Sequence, residues 1–288
     1  MSNFERTTPE VSIVIPSWFE PRMHGRYGDN EVYACALKCI QRLISTIDRD
    51  KVEIILIDNG STLRYDDVQE QGLADPGWYW DQADVLIKNP TNQGFGIAMN
   101  QGLNIARGKY IIAMNNDILV VGEHWLDKLL CIFEDKNIDP PVGLCMPNLI
   151  KKEYQKDCID SNSKRLDFNK VFELKEENLV LRNEGIWEKG AEFGSCFAMK
   201  KELFDKIREV NGGYEFYDEK FRVGYCEDRA LYIQVRELGF QTYRNNWLRV
   251  GHVGGLSMSK IKGREGVREI IDENRRYLAK LKKEKGLI

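Results

Sequence analysis

Four short, mostly apolar runs, with helical spacing in two of the three gaps between them, restrict this chain to a small set of folds. The runs are Val11 to Ile15, Val52 to Ile57, Ala83 to Ile87 and Tyr110 to Met114. Apolar runs this short suit strands covered on both faces better than strands with one face in water. Between the first two, Glu31 to Ile47 places Val32, Cys35, Ala36, Cys39, Ile40, Leu43 and Ile47 on one helical face. Gly94 to Arg107 reads as a helix that stops at Gly108, and Trp125 to Phe133 as another. Strands alternating with helices predict an α/β fold with a mostly parallel, Rossmann-like central sheet flanked by helices. Ligands in such sheets bind outside the carboxyl ends of the strands. Ser17 to Glu20, Asp58 to Ser61 and Asn115 to Asp117 fall at those ends.

The second half is less regular. Lys151 to Glu184 is polar and charge-rich and reads as an insertion or mobile loop. Phe193 to Met199 is strand-like, Lys201 to Arg208 is a short helix, and Glu227 to Leu238 is a helix that stops at Gly239. Gly263 to Lys285 is amphipathic, with Val267, Ile270, Ile271, Leu278 and Leu281 on one stripe, and is expected to dock on the core as a C-terminal helical extension.

Composition removes several classes of function. The formal net charge is −3, and a nucleic-acid binder usually carries a basic surplus. The cysteines number seven, an odd count without a C-x-x-C pair, so neither a disulfide scaffold nor a structural zinc site is expected. Buried thiols in a reducing cytoplasm fit better. Met1 to Glu10 lacks the apolar stretch of a signal peptide, and no apolar run approaches a membrane span. The expectation is a soluble cytoplasmic protein, at most peripheral to the inner face of the membrane.

Four groups of residues can carry chemistry. Asp117 follows a buried strand, and Mg²⁺ and Mn²⁺ favour one or two carboxylates completed by substrate phosphates. Asn92-Gln93-Gly94-Phe95-Gly96 precedes a helix, where glycine lets backbone approach a ligand and the helix N-terminus favours anions. Glu227-Asp228 opens a helix; such a pair complements the macrodipole, and a carboxylate there can also take a proton from an attacking hydroxyl. His252 sits among Gly251, Gly254 and Gly255, which leave its imidazole open to a borderline metal, whereas His24 and His124 have no comparable setting.

In this order the residues resemble the family 2 glycosyltransferases, and within them the rhamnosyltransferase-like branch that decorates bacterial surface polysaccharides. "VSIVIPSWFEP" is similar to the family's opening strand and nucleotide loop, and "VEIILIDNGST" to its second strand. "NPTNQGFGIAMNQGLNIARGKYIIAMNNDILV" resembles its glycine-rich turn, helix, strand and D-x-D-like triplet. "GSCFAMKKELFDKI", "GGYEFYDEKF" and "YCEDRALYIQVRELGF" resemble its acceptor-side segment. The resemblance implies a GT-A fold over residues 1–262, with a nucleotide-binding half at about 10–120 and an acceptor-side half at about 121–262, and 263–288 as the added helix.

It also implies roles. Asp58 would bind the nucleotide base, with Pro16, Ser17 and Glu20 lining base and ribose. Asn92, Gly94 and Asn116 would sit beside the donor, and Gly194 and Ser195 would floor the sugar pocket. Asp117 and His252 would hold Mn²⁺ or Mg²⁺ on the diphosphate, and Asp228 would be the catalytic base. The implied partners are a UDP- or dTDP-sugar donor and a glycan, lipid-linked or other hydroxyl acceptor, in polysaccharide or glycoconjugate synthesis.

Three features depart from the family pattern. The triplet is Asn115-Asn116-Asp117, without an acid in first place; Ala230 stands where a second acid often follows the base; and the segment Met23 to Asn30 is long. The first two leave room for a non-catalytic sugar-nucleotide-binding or scaffold protein. A nucleotidyltransferase would place a lysine-containing Gly-rich loop after the first strand, where this chain has Ser17-Trp18-Phe19-Glu20.

Overall fold

The computed structural model describes residues 8–21, 31–149, 187–190, 194–221, 224–252 and 263–287. The long segment 23–30, the charged stretch 151–184, Phe193 and the glycines after His252 lie outside them. A single sheet of nine strands organises the described chain. Its first half follows the expected pattern: β1 (Val11–Ser17), β2 (Val52–Asp58), β3 (Val85–Lys88) and β4 (Tyr110–Met114) pair in parallel in the order β3-β2-β1-β4. The crossovers are α1 (Glu31–Ile44), the short α2 (Pro76–Trp80) and α3 (Phe95–Ile105).

Side chains alternate across this half with the period of a strand. Val11, Ile13 and Ile15 of β1 and Val52, Ile54 and Leu56 of β2 face one apolar cluster, together with α1, Trp125 and Phe133. Val14, Ile55 and Ile57 face the other, against Ala98, Met99 and Leu103 of α3. Burial on both sides explains why these strands lack a polar stripe. A buried polar knot fixes their far ends. Glu53 accepts from Ser12 Oγ (2.5 Å) and from the Arg107 backbone N–H (2.9 Å), and Ser12 Oγ accepts from Gly108 N (2.7 Å). Gly108 therefore serves close backbone approach at β1, and the helix before it already ends at Ile105.

The second half extends the sheet with mixed polarity. β8 (Cys196–Lys200) runs antiparallel to β4, β6 (Val142–Leu149) antiparallel to β8, and β9 (Gln241–His252) parallel to β6. β5 (Ile118–Val120) and β7 (Trp187–Lys189) both pair antiparallel with β9. Helices α4 (Trp125–Leu130), α5 (Lys201–Val210), α6 (Glu227–Glu237) and α7 (Gly263–Glu284) complete the described α-helices. The helix expected over Trp125 to Phe133 tightens into a 3₁₀ turn at Cys131–Glu134. The six described cysteines form no disulfide with one another. Among the described residues no helix is long and apolar enough to cross a membrane.

The seat of α3 on the sheet depends on Gly102. A Cβ there would lie 2.4 Å from Val14 Cγ1 and 2.6 Å from Ile57 Cδ1. Gly102→Ala is expected to destabilise the fold by about 1–3 kcal/mol through overpacking. A thermal unfolding midpoint equal to that of the parent chain would contradict this packing.

Candidate functional site

A cavity of about 530 Å³ opens where the parallel strands end. Pro16, Ser17 and Trp18 reach it from the end of β1, and Asn59 from the end of β2. Asn92 and Phe95 enter at the head of α3, Asn115 to Asp117 after β4, and Gly194 and Ser195 just before β8. Gly224 to Arg229 close it from the head of α6, His252 from the end of β9, and Ile271 and Arg275 from α7.

The nucleotide side expected from the sequence is organised by a residue the motifs did not single out. Asn59 is buried, and its Nδ2 donates to Asn92 Oδ1 (3.0 Å) and to the Gly94 carbonyl (3.2 Å). Its Oδ1 accepts from Gln93 N (3.0 Å) and Asn89 Nδ2 (3.0 Å). Gly60, at φ 82°, lets the 91–92 backbone press so close that a Cβ would meet Thr91 C at 2.4 Å. Asp58 Oδ1 accepts from Ser61 N (2.8 Å) and closes the turn after β2. Asp58, Glu20 and Gly94 are not among the described residues that line the cavity. Gly94 instead caps α3 at φ 90°. The remaining sequence-selected residues all line it.

Strand pairing joins the two candidate metal ligands across the chain. Ile118 of β5 lies opposite His252 of β9, and His252 Nε2 stands 3.5 Å from Asp117 Oδ1. Beside them the Asn115 Oδ1 atom is buried without a hydrogen-bond partner among the described residues. Among those residues no group of three His, Cys, Asp or Glu side chains gathers to hold a metal ion. One carboxylate, one imidazole and one amide oxygen are chemically suited to Mg²⁺ or Mn²⁺, but as a partial set of the kind a ligand's phosphate oxygens complete.

The carboxylate pair is set by an unusual turn. Tyr225 (φ 73°) and Cys226 (φ 72°) both adopt left-handed backbone, and Cys226 caps α6. That leads Glu227 inward, where it is 8% exposed with its Oε2 unpartnered among the described residues. Burial, and then the adjacent Asp228 charge, push its carboxyl up to about 7. Asp228 is half-buried and lies over Gly194, where a Cβ would come within 2.7 Å of Asp228 Oδ2. Only glycine fits beneath that carboxylate without moving it. Arg229 and Arg275 add two guanidiniums to the rim, a chemistry that matches phosphate and carboxylate oxygens.

Residues 12–208 match glycosyl transferase family 2. Glycosyltransferase GlyG of Streptococcus pneumoniae is 25% identical over 246 residues, covering 80% of this chain and 71% of GlyG. An uncharacterized glycosyltransferase of Methanocaldococcus jannaschii is 24% identical over 135 residues, 47% of this chain and 41% of the relative. Among solved structures, the mannosyltransferase PcManGT from Pyrobaculum calidifontis, in complex with GDP-Man and Mn²⁺, superposes with a TM-score of 0.53 at 17% identity over 87% of this chain. GalNAc-T7, with UDP, GalNAc and Mn²⁺, gives 0.55 at 18% identity, also over 87%. The chain spans 59% and 45% of the length of those two structures. What it shares with them is the GT-A fold.

The position of Glu227 has a measurable consequence. The folded chain holds its proton up to about pH 7, whereas an ordinary glutamate releases it near 4.5. Its contribution to stability is therefore full below about pH 4.5 and is lost as pH rises through about 7. Glu227→Gln, which mimics the protonated form, should flatten the decline in unfolding midpoint between pH 5 and pH 8. Parallel pH–stability curves for parent and variant would place that carboxyl in an ordinary environment.

Proposed function

The chain belongs to glycosyl transferase family 2, and from that premise we propose that it moves a sugar from a nucleoside-diphosphate-sugar donor to an acceptor hydroxyl, with inversion at the anomeric carbon. The observation that carries this reading is one cavity holding the Asn59–Asn92 amides, the Asp117–His252 pair and Asp228 together. The donor we favour is a UDP- or dTDP-sugar carrying a hexosyl or deoxyhexosyl group. The P. calidifontis enzyme holds GDP-Man and GalNAc-T7 holds UDP, each with Mn²⁺. The acceptor we favour is a glycan or lipid-linked hydroxyl in surface polysaccharide or glycoconjugate synthesis, reached from the cytoplasmic side.

In this mechanism Pro16, Ser17 and Trp18 flank the nucleotide, and the amide knot at Asn59 holds Asn92 against it. Asp228 accepts the proton from the acceptor hydroxyl as that oxygen bonds to the anomeric carbon. The bond from that carbon to the diphosphate oxygen breaks in the same displacement, and its electron pair leaves with the nucleoside diphosphate. Alignment of hydroxyl and leaving group in a fixed cavity removes much of the entropic barrier. Asp117 and His252 would hold Mn²⁺ or Mg²⁺, with Asn115 contributing a neutral oxygen. Such an ion supplies charge neutralisation for phosphate oxygens. Because Asn115 brings no charge, the ion's hold depends more on the donor's own phosphates than in a site with two carboxylates.

Asn115 also favours one second reading, a protein that binds sugar nucleotides without transferring them. Asp228→Asn separates the two. The variant is expected to lose roughly 10²–10⁴-fold in turnover, the usual worth of a general base. Donor affinity should stay within about threefold, since general-base loss leaves ground-state contacts intact. Nucleoside diphosphate release is measured with Mn²⁺ across a panel of donors and acceptors. Binding without release from the parent chain would favour the second reading, and near-normal turnover in the variant would remove Asp228 from its role.

A further inference from the structure

Helix α7 docks on the core by its apolar stripe, and Ile270 and Leu278 are buried there. Midway between them, on the same face, stands a polar residue, Asn274, 4% exposed. Its Nδ2 donates to the Gly224 carbonyl (2.8 Å) and to the Tyr225 carbonyl (3.0 Å). Both carbonyls belong to the turn that enters α6. One helical turn on, Tyr277 donates from its hydroxyl to Asp218 Oδ2 (2.6 Å) and packs edge-to-face on Phe221 at 4.9 Å. The helix thus grips the chain on the approach to the carboxylate pair at two heights, while Ile271 and Arg275 reach the cavity itself.

The grip falls where the backbone most needs one. Tyr225 and Cys226 are the two described non-glycine residues with positive φ. Side chains of this kind disfavour that conformation, and it persists only where the surroundings impose it. The two carbonyls that Asn274 holds lie at and just before those residues. If Cys226 relaxed to ordinary helical φ, the first turn of α6 would re-aim, and Asp228 would leave its place above Gly194.

We infer that Asn274 is a positioning residue, and that α7 locks the Gly224–Cys226 turn in the one shape that presents Glu227 and Asp228 to the cavity. Its kinetic consequence rests on the transferase reading; its structural consequence does not. On this account α7 is a working wall of the cavity rather than an appendage to it.

The test uses the full chain carrying Asn274→Ala, with two readouts. In the transfer assay kcat is expected to fall at least tenfold. Donor affinity, measured by direct titration, should change less than threefold, because Asn59, Asn92, Asp117 and His252 are untouched. In N-ethylmaleimide labelling resolved by peptide mapping, Cys226 should react several-fold faster, while Cys131, exposed at the end of α4, keeps its rate. Adding Cys226→Gly to Asn274→Ala should recover part of kcat, because glycine takes positive φ without the clamp. A helix needed only for stability would lower the unfolding midpoint without giving that rescue.

A kcat within twofold of the parent chain, measured well below the unfolding midpoint, overturns the inference. If Asn274→Ala does not fold, Asn274→Gln, which displaces the amide by one methylene, takes the same measurements. If the parent chain transfers no sugar to any acceptor, the functional reading fails by itself. The Cys226 labelling rate then decides the clamp alone, and an unchanged rate overturns it.

Discussion

Parallel pairing of β1 with β2 and β4 is the constraint on which everything else depends. Ser17 lies opposite Asp58, and Val14 opposite Ala113, so the strands finish on one edge of the sheet. Parallel strands cannot be joined by hairpins; each needs a crossover, and the crossovers cover both faces. That single geometric fact buries β1, β2 and β4, forces α1 and α3 onto opposite sides, and leaves the turns after the strands as the place where unpaired backbone and polar side chains collect. The Glu53–Ser12–Gly108 knot secures the opposite end of the same strands, so the carboxyl edge is free to be irregular.

That irregular edge serves charge placement. Asp117, Glu227 and Asp228 converge on one cavity that is proposed to receive a diphosphate. Three full negative charges there would oppose that ligand. Burial keeps a proton on much of Glu227 near neutral pH, His252 stands against Asp117, and Arg229 and Arg275 sit on the rim. The asparagine at position 115 works in the same direction, supplying an oxygen without a charge. Asp228 stands half-buried at the head of α6, and it is the carboxylate proposed to take the acceptor's proton.

What the sequence exposed and what it hid follow from where each signal resides. The runs at Val11, Val52 and Tyr110 were readable because burial on both faces leaves them almost wholly apolar, broken only by Ser12 and Glu53. β9 was not: Asn245, Asn246 and Arg249 are buried within it, so its twelve residues read as polar. β5 has only three residues, too few for any periodicity. Asp117 and His252 were readable as types, but their approach to 3.5 Å is a product of β5–β9 pairing, which no local pattern encodes. Asn59 was overshadowed by its neighbour Asp58, because in a turn the sequence does not tell which of two adjacent polar side chains points inward. For α7 the signal was present in the chain itself: Asn274 interrupts the stripe Ile270–Leu278 at a position where an apolar residue would pack, and a buried amide must find partners.

A helix held only by apolar contacts can slide or rotate with small cost, since such contacts lack direction. A buried amide with two specified acceptors fixes both register and rotation, because any shift strands polar atoms away from water. The Gly224–Cys226 turn, with its two unfavourable backbone conformations, gains a clamp from Asn274, and the buried amide of Asn274 gains from the turn the two acceptors it needs. Each supplies what the other lacks, and the carboxylates of α6 stand at the point where the two meet.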